Sequence, residues 1–252
     1  MNRFLLLLFS FTIILSSCSK EEDAPSSATL KVRYTLNYDG QPLVFNQNQA
    51  YGSDFIRMTK FAYFITNLKI RSGQDSVKLA DLSFVDYSLS NTNLSGATGG
   101  LVLTIPNVKT GTYNALEFGV GLPKELNATK PADYTSANPL GDPGYYWAGW
   151  NGYIFSKMEG KFDSLSTGSF ADGFIFHTGL DENYKIVKLN TPFTVDGNKA
   201  DNEVVVSLDV KKLFIMNGAA IDIVLVNQAH GPANGEVITA LTNNYNSAFK
   251  LQ

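Results

Sequence analysis

Cysteine is almost absent from this 252-residue chain. Its one cysteine, Cys18, lies near the N-terminus. That isolation excludes internal disulfides and Cys-based zinc sites, and lipidation of Cys18 would leave no thiol for catalysis. Histidine is nearly as scarce, with His177 and His230 alone, and the only tryptophans are Trp147 and Trp150. Charged residues make up 17% of the chain and the net charge is −3. No basic patch stands out, which argues against a nucleic-acid partner. There is no G-x-S-x-G, H-E-x-x-H, P-loop or C-x-x-C motif. "GVG" at Gly119 to Gly121 precedes no helical pattern, so it is not a dinucleotide loop. The carboxylates of "DSLSTG" and "DENY" lack the repeated spacing of a calcium-binding EF-hand. Two isolated histidines, with no acid or serine at a telling distance, do not make a hydrolase. The chain reads as a non-enzyme.

The first residues read as an export signal. Arg3 supplies a positive start, and Phe4 to Leu15 is an apolar run too short to span a bilayer comfortably. The run ends in "LSSC", Leu15 to Cys18, the pattern of a bacterial lipoprotein signal whose cysteine becomes the lipidated N-terminus. Residues 1–17 are therefore expected to be a signal peptide, and residues 18–29 a flexible tether from lipidated Cys18. The acidic run Lys20 to Asp23 resembles the export tag of Bacteroidetes surface lipoproteins. It reads equally well as a solvated linker. The expectation is an outer-membrane lipoprotein of the cell envelope, periplasmic or surface-exposed, touching the membrane only through its lipid.

What the chain does have is aromatics, at 12%, together with 21 glycines and a dominant two-residue alternation. In "LKVRYTLNY" Leu30, Val32, Tyr34, Leu36 and Tyr38 share one face of a strand. "FAYFITNLKIRS", "DLSFVDYSL", "LVLTIPNV", "YNALEFGVG", "GYIFSKMEGKF" and "NEVVVSLDVKKLF" read as further strands, the last running into a helical turn. "NTNLSGATGG" reads as a loop. "GFIFHTG" and "YKIVKLNTPFTV" read as a strand pair around the polar turn Leu180 to Asn183. Ala220 to Gln228 fits either strand or helix. Val237, Ile238, Leu241, Tyr245 and Phe249 recur at helical spacing and predict one short C-terminal helix. The fold class is all-β: residues 30–252 as one domain, an antiparallel two-sheet β-sandwich of about ten strands with long loops.

The longest loop, Leu122 to Gly144, carries Pro123, Pro131, Pro139 and Pro143. It delivers the chain to "YYWAGWNGYIFSKMEG", Tyr145 to Gly160, which holds both tryptophans. Composition alone favours a core plug there over an exposed platform for stacking sugars. Either histidine alone is more often a loop or core residue than a ligand. Met58, Met158 and Met216 could serve Cu(I) as thioethers, but each reads more naturally as core.

Several segments, taken in order, resemble the methanobactin-cassette copper-binding protein family (MbnP-like domains), and more distantly the methanotroph surface copper proteins that carry a kynurenine. They are "FAYFITNLKI", "LEFGVGLPKELN", "YYWAGWNGYIFSKMEG", "FHTGLDENYK" and "HGPANGEVITALTNNYNSAF". The resemblance implies a lipidated or secreted β-sandwich that binds copper through imidazoles beside an oxidised tryptophan, with a di-haem peroxidase as the oxidising partner. Carried over, His177 and His230 match the family's histidine landmarks, and Trp147 matches the first tryptophan of the aromatic box. The family's box spaces its tryptophans by one residue, whereas here Ala148 and Gly149 intervene before Trp150. The expected site is His177 and His230 as copper ligands, Cu(I) or Cu(II), with Trp147 and Trp150 modified or adjacent and Cys18 lipidated. The alternative is a glycan- or protein-binding lipoprotein that uses the Trp/Tyr cluster. A third reading is the same fold with a decayed site.

Overall fold

A computed structural model describes residues 25–165, 167–231 and 234–252. The expected signal peptide and Cys18 lie outside them. The first strand, Ser27–Tyr38, begins inside the stretch expected to be tether. Its burial alternates as the pattern predicts, with Leu30, Val32, Tyr34, Leu36 and Tyr38 all buried. Among the described residues, no helix is long and apolar enough to cross a membrane.

The protein is mostly β. Among the described residues, strand Ser27–Tyr38 lies in a five-stranded sheet with 41–42, 101–109, 202–209 and 249–251. A nine-stranded sheet is built around the 19-residue strand Asp54–Ser72. Two further ribbons pair 111–113 with 193–195 and 215–216 with 219–220. One apolar core draws on both large sheets. Val32, Tyr34 and Val206 enter it from the first; Phe61, Tyr63, Phe118, Met158 and Phe176 enter it from the second. The number of strands exceeds the ten expected because many are two- or three-residue pieces at loop ends.

Three expectations need correcting. First, the sheets are not purely antiparallel. Strand 27–38 pairs with 202–209 in parallel, Leu30 to Asn37 against Asn202 to Asp209, and 172–179 pairs in parallel with 228–229. Strands so far apart in the chain are joined by long crossovers, which parallel pairing requires and a hairpin cannot supply. Second, 172–179 and 185–189 do not form a hairpin. The first pairs with 152–163 and the second with 115–120. Both partners run antiparallel to 54–72. Strands 172–179 and 185–189 therefore run in one direction, and Leu180 to Tyr184 is a kink rather than a reversal. Leu180 takes a left-handed φ of 70° there, and the Asn183 amide donates to the Gly179 carbonyl at 2.7 Å. Third, "NTNLSGATGG" contains a short helix, Leu94–Gly99, whose first turn is capped by the Asn93 side chain accepting from Gly96 N–H.

Residues 220–228 settle as neither long strand nor long helix. They form a turn between the two-residue strands 219–220 and 228–229. The predicted C-terminal helix appears as Gly235–Asn243 and Tyr245–Ala248, with Val237, Ile238, Leu241 and Tyr245 buried. Phe249 leaves it for a final strand, Phe249–Leu251.

The proline-rich loop packs on the outer face of the nine-stranded sheet and makes a second apolar cluster. Leu122 and Leu140 of the loop, with Tyr145 just after it, meet Ala62, Phe64, Tyr153 and Phe155 of the strands. Tyr145 lies edge-on to Phe84 with ring centres 4.6 Å apart, and the Tyr153 hydroxyl donates to the Leu140 carbonyl at 2.9 Å. This anchoring fixes the base from which the tryptophan segment departs.

Candidate metal centre

Alternation along 172–179 turns Phe174 and Phe176 into the shared core and leaves Ile175, His177 and Gly179 on the opposite face. His177 stands across from Lys157, and Glu159 lies two residues further along the same face. The Glu159 carboxylate is 2.8 Å from His177 Nε2. An ionised carboxylate can only accept, so Nε2 carries a hydrogen, and the neutral ring then keeps its lone pair on Nδ1. Nδ1 is buried and has no partner, and His177 as a whole is only 7% exposed. The hydrogen bond from His177 holds the Glu159 carboxyl below the ordinary range against the opposing effect of burial, with help from the charges of Lys157 and Lys60. Burial pushes the Lys157 ammonium down. It donates to the Gly144 carbonyl at 2.7 Å and stands 4.6 Å from the centre of the Tyr145 ring.

His230 follows directly on strand 228–229. That strand pairs Gln228 with Ile175 and Ala229 with Phe176. Continuing the register by one residue sets His230 beside His177. Burial above all pushes the His230 imidazole down, which favours a neutral ring with a lone pair to offer.

The tryptophans complete the same corner. Tyr146–Trp147 pairs with Gly152 and Tyr153 across a tight turn, in which Trp150 N–H donates to the Trp147 carbonyl at 3.0 Å and Asn151 is left-handed at φ 52°. The Trp147 ring lies 5.2 Å from that of His230 and 5.7 Å from that of Trp150. Trp150 in turn rests on Gly179, where an added Cβ would come 2.2 Å from Trp150 Cζ3. The Asn127 side chain braces the segment: its oxygen accepts from Tyr153 N–H at 2.8 Å and its amide donates to Asp181 at 2.8 Å.

His177, His230 and the tryptophan pair, which come from three separate stretches of the chain, thus meet at one corner. Met58 and Met158 do not join them; both are fully buried in the core, and Met216 packs against its edge. Among the described residues, no three or more His, Cys, Asp and Glu side chains cluster as a ready-made ligand set. The sequence reading missed Glu159. Its signal was present in "SKMEGK", where Lys157, Glu159 and Lys161 alternate with core residues, but only the pairing with 172–179 reveals that Glu159 meets His177.

A family model described as MbnP matches residues 27–236. The chain belongs to the MbnP family. Among solved structures it is similar to MbnP from Methylosinus trichosporium, at 15% identity and a TM-score of 0.52, over 89% of this chain and 98% of that one. At that identity the likeness speaks for the MbnP fold alone. No curated protein matches the chain.

Proposed function

We propose that the chain is a copper-binding lipoprotein of the cell envelope, not an enzyme, with a role in copper scavenging or handling. One observation carries the metal reading. His177 presents a buried Nδ1 with no partner on the corner where His230 and both tryptophans meet. Leaving a buried acceptor unpaired costs about 1–3 kcal/mol, and a metal bond would relieve it. Neutral imidazoles suit copper, which divalent N-donor sites bind more tightly than neighbouring metals. The donor set fits copper as cargo: His177 and His230 would hold it, and water or a modified Trp147 would complete the set. In this reading Cys18 carries the lipid that keeps the domain at the outer membrane. The two large sheets act as the layers of a β-sandwich, a view supported by their common core. Trp147, half-buried and against His230, is the residue a di-haem peroxidase partner would oxidise to kynurenine.

The test is a copper titration of Ser19 to Gln252 beside its His177→Ala/His230→Ala variant. One tight equivalent, lost in the variant, is expected. Equal behaviour of the two proteins would remove copper from the reading. Attention would then pass to Trp147 and Trp150 as a surface for glycans or a protein partner.

A further inference from the structure

We infer that Glu159 is the positioning residue of this site: it holds the His177 imidazole in the tautomer protonated at Nε2 and so reserves Nδ1 for the metal. The inference rests on the copper reading for its purpose, but its structural content stands on the metal-free protein. A doubly protonated ring would leave a buried Nδ1–H with no acceptor, so the choice lies between the two neutral tautomers. Were the hydrogen on Nδ1, the Nε2 lone pair would face a carboxylate oxygen at 2.8 Å, and a buried N–H would have no acceptor. Both arrangements are costly in a buried site. With the hydrogen on Nε2, one charge-assisted bond satisfies that edge of the ring and leaves a single lone pair free.

Glu159 is well placed to impose this. Its strand, Gly152–Asp163, is paired on both sides, Glu159 itself standing between Ile175 and Lys60. The carboxylate therefore projects from a strand held on both sides, next to a register shift between Glu159 and Gly160. An imidazole that binds metal through one nitrogen commonly gives the other N–H to a carboxylate, and losing that partner typically lowers affinity 10–100-fold.

The experiment has two arms. In the first, long-range proton–nitrogen NMR of the metal-free protein reads the His177 ring. A slowly exchanging, downfield Nε2–H is expected, together with an unprotonated Nδ1. The Nε2–H signal should vanish in Glu159→Leu and return in part in Glu159→Gln, whose carbonyl can still accept. In the second arm, Cu(II) affinity should fall about 10–100-fold in Glu159→Leu and recover part of the way in Glu159→Gln. Circular dichroism and thermal unfolding establish that the variants are folded. A proton on Nδ1 of His177 in the wild-type protein would overturn the inference. So would unchanged affinity in folded Glu159→Leu. If the wild-type protein shows the expected ring signals, and Glu159→Leu loses them, while no copper binds, the copper reading falls and the hold of Glu159 on the ring is supported.

Discussion

The rings of Trp147 and His230 lie 5.2 Å apart, with their planes tilted by 35°. Trp150 extends the contact from the other indole, 5.7 Å from Trp147. Since the chain has no other tryptophan, the indole emission of the whole protein reports on this one corner. Copper bonded to His230 would lie close to Trp147, because metal–imidazole bonds are only about 2 Å long. One equivalent of Cu(II) should therefore quench most of the emission, with the same end point as binding. His230→Ala should abolish the quenching. Bright emission in the presence of a bound equivalent would place the metal away from the tryptophans.

The seat of Trp150 on Gly179 gives a sharper test of the corner. An alanine there would bring its Cβ 2.2 Å from Trp150 Cζ3 and 2.9 Å from the Tyr153 carbonyl. The indole must move, at a cost of about 1–3 kcal/mol. Gly179→Ala should thus lower stability, shift the emission and weaken copper binding. Replacing Trp150 with Ala in the same protein should recover part of the lost stability. A double-mutant cycle on thermal or denaturant unfolding measures that coupling, which should be at least about 0.5 kcal/mol for residues in contact. Strict additivity would mean that Trp150 does not rest on Gly179.

Much of the scaffold was legible because it follows from local periodicity. The two-residue alternation of Leu30 to Tyr38 and the helical spacing of Val237, Ile238 and Leu241 each mark a face that must be buried. The strand 202–209 running into the turn Val210–Leu213 was legible for the same reason. Partner choice was not. The polar segment Leu180 to Asn183 carries the same turn signals whether the chain reverses or merely kinks. Only the competition of 115–120 and 152–163 for one edge of 54–72 decides it. The site divides along the same line. His177, His230 and the tryptophans stood out by their scarcity. Their meeting depends on a two-residue parallel pairing, Ile175 with Gln228 and Phe176 with Ala229, that no local pattern announces. Glu159 was hidden for the same reason: a carboxylate on an outward face looks solvated until its cross-strand neighbour is known.

The buried tyrosines predict how the fold responds to alkali. Burial pushes the hydroxyls of Tyr34, Tyr63, Tyr87 and Tyr245 above their ordinary range. In the unfolded chain a phenol ionises near pH 10, about its ordinary value. Above that pH the unfolded state has shed protons that the folded state retains. The stability these groups provide is therefore complete below about pH 10, and is lost as the pH climbs toward their raised folded values. Tyrosinate absorbance from these residues should appear together with the loss of near-ultraviolet circular dichroism. Their ionisation in a still-folded protein near pH 10 would contradict the burial described here.

The packing of the two large sheets can be tested through Phe249. Its backbone belongs to the five-stranded sheet, opposite Leu208. Its ring lies edge-on to Phe118 at 5.1 Å and to Tyr63 at 5.8 Å, both carried by the nine-stranded sheet, and it also meets Tyr245 at 6.0 Å. One side chain thus ties the sheets to each other and to the C-terminal helix. Phe249→Ala should cost about 3–5 kcal/mol, or roughly 6–20 °C in Tm for a domain of this size. Phe249→Leu, which keeps most of the volume, should cost less than about 1.5 kcal/mol. Because Phe249 lies in the shared core while His177 faces away from it, any folded variant should keep the copper stoichiometry of the wild type. A Tm indifferent to Phe249→Ala would mean that the sheets do not depend on this contact. Loss of copper with the fold intact would mean that the core and the metal corner are coupled more tightly than the two faces of one sheet imply.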